Sequence, residues 1–160
     1  MVTTWWEARA TNFNDIEHPS FVAVNKQEQV ILIGEVRGFP FRFKDEEIKK
    51  YTIRLANYLQ VAKVIIPFAM LADVENILIF QWDGCNLSEP VLSLKTADVL
   101  NYYDPEFSKK QIFTPYLTAL IEAWLRDLAY HWKLVMPSFT KEMADINLLQ
   151  LLEGGTTEVY

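Results

Sequence analysis

The chain is 160 residues long and 51 % hydrophobic, with 15 Lys and Arg against 21 Asp and Glu, a formal net charge of −6. That length supports one domain with a sizeable core, and the apolar content excludes intrinsic disorder. Cys85 is the single cysteine, which excludes an internal disulfide and a Cys-based zinc site. The acidic balance argues against broad charge-driven nucleic-acid binding and leaves only a local basic groove open.

Neither an export signal nor a membrane span is expected. Met1 to Trp6 carry no Lys or Arg, and Glu7 and Arg9 interrupt any apolar run a leader would need. The longest uncharged apolar stretch, residues 64–72, contains Pro67 and falls far short of the roughly 20 residues of a spanning helix. A lone thiol suits a reducing interior, so the expected setting is cytoplasmic, with no membrane partner.

Residues 3–9 fit either a strand or one helical turn, and residues 11–20 read as a loop broken by Asn12, Asn14, Asp15 and Pro19. Residues 21–24 and the β-branched run from Val30 predict a β-hairpin around the polar segment 25–29. Its second strand continues to Arg37 before Gly38 and Pro40 stop it. A helix over about 45–60 follows from acidic Asp45, Glu46 and Glu47 at its start. Ile48, Tyr51, Thr52, Leu55 and Leu59 then supply a helical stripe. Residues 64–68 and 77–82 read as strands, the second closed by Asp83-Gly84, and residues 87–94 with Pro90 read as an edge strand.

Residues 94–114 read as irregular. Then comes the strongest helical pattern, Leu117, Leu120, Ile121, Trp124, Leu125, Leu128 and Trp132, ended by Pro137. A last helix is expected from Thr140 through Met143, Ile146, Leu149 and Leu152, stopping at Gly154-Gly155 before a frayed tail over 156–160. Together these predict a single α/β domain over 1–155 with a mixed central sheet. The first helix covers one face as a crossover, and the C-terminal helices cover the other or form an interface.

The informative constellation is His18-Pro19-Ser20, then the hairpin, then Glu35-Val36-Arg37. A carboxylate within an apolar strand is costly to bury unless it is paired or holds a cation. Residues two apart in a strand share a face, so Glu35 and Arg37 project together, beside Ile31 and Ile33. The hairpin register is open. A four-residue loop over 26–29 pairs Asn25 with Val30 and sets Ser20 opposite Glu35, whereas a five-residue loop turns Ser20 to the other face.

This layout resembles the PD-(D/E)XK nuclease superfamily. There, an Asp after a Pro begins one strand, and the next strand carries an acidic residue, any residue and a Lys before a helix and a strand. The likeness covers about residues 19–68, and the whole chain is similar in texture to cyanobacterial-type members with a degenerate motif. It implies a restriction-endonuclease-like mixed sheet flanked by helices, with two acids on Mg²⁺ and a Lys positioning a water. Pro19, Glu35 and Val36 match the pattern; Ser20 stands where the Asp would be, and Arg37 where the Lys would be.

Both departures have chemical consequences. A serine hydroxyl removes one of the negative charges that would hold Mg²⁺. Arginine stays protonated, so it cannot act as a general base, although it can clamp a phosphate. In an active form Glu35 and Glu17 are the candidate metal ligands, with Asp15 a further carboxylate and Lys44 or Lys49 a replacement amine. The bland reading makes Glu35 and Arg37 a structural ion pair. The leading expectation is therefore a nuclease-like fold with an eroded site at Glu35, Arg37 and Ser20, without a cofactor. It would act as a binding or assembly module and a homo-oligomer, with nucleic acid a weaker partner. The alternative is a Mg²⁺-dependent DNA or RNA phosphodiesterase.

Other reactive side chains have simpler readings. His18 reads as a solvated loop histidine, His131 as a helix-surface residue, Cys85 as a quiet thiol, and Lys49-Lys50 and Lys109-Lys110 as solvated faces. Trp5, Trp6, Tyr102, Tyr103, Phe107, Phe113, Tyr116 and Trp124 are assigned to core packing and self-association over base stacking, which needs accompanying cations.

Overall fold

The computed structural model describes residues 18–159. The β-rich runs on either side of the polar segment pair as expected, β1 (Phe21–Val24) antiparallel to β2 (Val30–Val36). Phe21 faces Gly34, Val22 faces Ile33 and Ala23 faces Leu32, but Val24 faces Val30, so Ile31 is extra and bulges. Continued by one residue, the Phe21–Gly34 register sets Ser20 opposite Glu35, as the four-residue loop predicts. The turn itself is tighter, with the Asn25 amide donating to the Gln29 carbonyl at 2.9 Å. The bulge corrects one expectation: Ile31 and Ile33 lie on opposite faces of the sheet, in different core clusters.

Helix α1 (Asp45–Val61) follows β2 and buries Tyr51, Leu55, Tyr58 and Leu59. It starts at Asp45 with Lys44 in the cap position and no side-chain cap bond, so the three acids act through the helix dipole alone. It leads to β3 (Phe68–Ala72), which runs parallel to β2. The strand expected at 64–68 begins only at Phe68. Pro67 divides the apolar run, leaving Val64 and Ile65 exposed while all five residues of β3 are buried. Strand β4 (Asn76–Gln81) returns antiparallel, and β5 (Leu92–Lys95) forms the edge beside it. Asp83-Gly84 makes the expected turn, with Gly84 at φ 101 and the Asp83 carboxylate accepting the amides of Cys85 and Asn86.

The segment read as irregular holds α2 (Thr96–Leu100) and a short 3₁₀ turn, and buries Val99, Leu100, Phe107 and Ile112. Its apolar residues come in short groups without a period, which hides them in the sequence. Helix α3 (Thr114–Tyr130) carries Pro115 in its first turn and ends at His131, which is left-handed at φ 54. It therefore stops short of Trp132, which is exposed instead of completing the predicted stripe. The last predicted helix is two, α4 (Thr140–Asp145) and α5 (Leu148–Leu152), split where Asn147 turns left-handed at φ 67.

Residues 156–159 are not frayed. They form β6 (Thr156–Val159), paired antiparallel with β1 from Phe21–Val159 to Val24–Thr156, so the folded domain extends beyond residue 155. The segment TTEV has no apolar alternation of its own and is ordered by the strand it joins.

The sheet is mixed, six strands in the order β5-β4-β3-β2-β1-β6. Helix α1 packs on one face with Ile33, Ala69 and Leu71, while α2 to α5 cover the other with Phe21, Leu32, Met70 and Ile79. The protein is thus α/β, with helices on both faces as the pattern predicts. Among the described residues no helix is long and apolar enough to cross a membrane.

Candidate functional site

The end of β2 is where charge enters the core. Alternation sends Ile33 and Glu35 toward α1, and Glu35 lies beside Leu71 of β3 on that face. Glu35 is 2 % exposed. Arg37 follows the strand, its amide donating to the Ala72 carbonyl at 3.0 Å. Its guanidinium folds back, Nη2 lying 2.7 Å from Glu35 Oε2 and Nη1 donating to the Val36 carbonyl at 3.0 Å. The same guanidinium stands 5.4 Å from the centre of the Tyr51 ring on α1. Glu35 and Arg37 therefore share a face and form the ion pair that strand geometry predicts.

Ser20 completes the strand end. Its amide donates to the Gly34 carbonyl at 2.8 Å, and its Oγ accepts the Val36 amide at 3.0 Å. The hydroxyl thus satisfies a β2 amide just beyond the end of β1. The position where the nuclease pattern carries an acid holds a backbone cap.

These residues line a cleft of about 580 Å³ between the sheet end, α1 and the first half of α3, with His18, Arg54 and Glu122 also on its walls. Glu122 was missed in the sequence. It is buried on α3, and its Oε2 accepts the Thr157 hydroxyl at 2.6 Å. The available signal was its place one turn after Thr118, a polar step on an otherwise apolar helix. Among described residues Glu35 Oε1 has no hydrogen-bond partner, although the atom is buried. Burial raises the Glu35 carboxyl above its ordinary range, against the opposing pull of Arg37, Arg54 and His18.

No protein-family model, curated protein or solved structure matches this chain.

The other expected site residues divide cleanly. Asp15 and Glu17, and with them Trp5 and Trp6, lie outside the described residues. Lys44 is exposed just ahead of α1, and Lys49 borders a separate groove with Ile53 and Leu87, so neither reaches the cleft. Among described residues no three His, Cys, Asp or Glu side chains converge as metal ligands. Cys85 is exposed, and His131 is an exposed helix cap. Lys110 is not merely solvated: its Nζ lies 2.7 Å from Asp104, whose carboxylate also accepts the Tyr116 hydroxyl. Phe107 and Trp124 are core residues, whereas Tyr102, Phe113 and Tyr116 are exposed.

Proposed function

We propose that this chain is a nuclease-like domain whose catalytic centre has become a structural ion pair, and that it serves as a binding or assembly module, working as a homo-oligomer. One observation carries the reading. Arg37 occupies Glu35 Oε2 at 2.7 Å and anchors its other nitrogen on its own strand carbonyl. A carboxylate so held offers a cation only its second oxygen, and the guanidinium beside it repels a divalent ion. Ser20, the other motif position, uses its hydroxyl on the Val36 amide.

A second reading, a Mg²⁺-dependent phosphodiesterase, draws on the unpaired Glu35 Oε1 and on Glu122 in the same cleft. Titration of Mg²⁺ and Mn²⁺ by calorimetry, with cleavage assays on mixed DNA and RNA, separates the two. The module predicts neither cation binding at Glu35 nor cleavage. Cleavage that requires the cation and disappears in Glu35→Ala would overturn it and establish the enzyme. Sedimentation velocity tests the homo-oligomer: a monomer across the accessible concentration range removes that part of the proposal.

A further inference from the structure

The segment that follows α3 is held outward by two core side chains. Asp127, 0 % exposed, accepts the amides of Lys133 at 2.9 Å and Leu134 at 3.1 Å on Oδ1, and the Tyr103 hydroxyl at 2.5 Å on Oδ2. Trp124, also fully buried, donates its indole N–H to the Ser138 carbonyl at 2.8 Å. Both ends of residues 133–138 are therefore gripped from within. The side chains presented around that grip are apolar: Trp132 is 54 % exposed, Val135 81 % and Met136 69 %. Buried polar groups committed to a loop's backbone define one conformation, and here that conformation keeps apolar surface in water.

The local charge has the opposite sign to the whole. Residues 128–141 contain Lys133, Lys141 and His131 and no Asp or Glu, in a chain of net charge −6. We propose that the loop over 131–136 is a docking tip for an anionic phospholipid surface. Trp132, Val135 and Met136 would enter the headgroup–acyl boundary while Lys133 and His131 meet the headgroup phosphates. An aromatic, a lysine and adjacent aliphatics are the composition that partitions to that boundary. Single-stranded nucleic acid would use Trp132 but has no stacking role for Val135 and Met136. A two-fold contact between tips of two copies would set each Lys133 near its like.

The test floats the full chain with vesicles of equal parts phosphatidylcholine and phosphatidylglycerol, and with vesicles of phosphatidylcholine alone. Preferential binding to the anionic vesicles is expected, weakened about fivefold by Lys133→Gln. Val135→Asp combined with Met136→Asp should abolish it while leaving circular dichroism and melting unchanged, since both side chains are exposed. Failure of the wild-type chain to bind anionic vesicles overturns the proposal, as does binding that the double variant retains. Sedimentation velocity and titration with oligouridine give the competing outcomes. A dimer dissociated by the double variant, or strand binding lost in Trp132→Ala, in a chain that ignores vesicles, assigns the tip to another partner.

Discussion

The Phe21 ring lies over Gly34, its partner across the hairpin, and leaves no room there for a Cβ. The glycine is required by this close approach and not by an unusual backbone angle. Gly34→Ala should cost about 2 kcal/mol by overpacking a buried strand. Adding Phe21→Leu should recover part of that loss, because both changes act at one contact. Urea denaturation of the two single variants and the double variant measures the coupling, and simple additivity would show that the ring is not the obstacle.

Arg37 shields a carboxylate that has little other support. Arg37→Met leaves Glu35 buried beside the same apolar neighbours without its ion-pair partner. A loss of about 3 kcal/mol at neutral pH is expected, the scale for breaking a buried pair by removing one member. Combining Arg37→Met with Glu35→Leu should restore most of it. Equal instability of the double variant would mean that Arg37 acts through its contacts with Tyr51 and Val36 instead.

The Glu35 carboxyl titrates above its ordinary value near 4.5 because burial outweighs the attraction of the nearby cations. A carboxyl raised on folding binds its proton more tightly in the native state. Its stabilising contribution is therefore complete below the unfolded-state value and is lost as pH rises through the folded-state value. Wild-type stability relative to Glu35→Gln should consequently fall as pH increases from about 4.5 upward. Chemical denaturation at a series of pH values reads this difference. A difference that grows with pH would reverse the sign of the shift.

Thr157 ties the last strand to α3 through Glu122. Thr157→Val keeps a residue suited to a strand but removes the donor at Glu122 Oε2, leaving a buried carboxylate oxygen short of a partner. About 2 kcal/mol of destabilisation is expected, whereas Thr157→Ser should remain near wild type. Thermal melting with native-state hydrogen exchange at β6 and β1 checks both, since loss of the tie should open that edge first.

Much of the candidate site could be read locally. Glu35 and Arg37 are two apart in a β-branched run, and strand alternation alone brings their side chains together. Proximity across space was harder to read. Glu122 and Thr157 are far apart in the chain, and neither residue announces the other. The role of Ser20 was visible only as a missing acid, because its bond to the Val36 amide depends on where β1 stops.

Short-period patterns already specified the α1 stripe, the Phe21–Val36 hairpin, the Asp83-Gly84 turn and the α/β class. Each of these depends on neighbours within a few residues, and their physics is local. Three-dimensional packing alone placed the Ile31 bulge, divided the final helix at Asn147 and recruited residues 156–159 as a strand. A sheet edge supplies backbone donors and acceptors to whichever segment reaches it, so a polar tail with little preference of its own takes its conformation from β1.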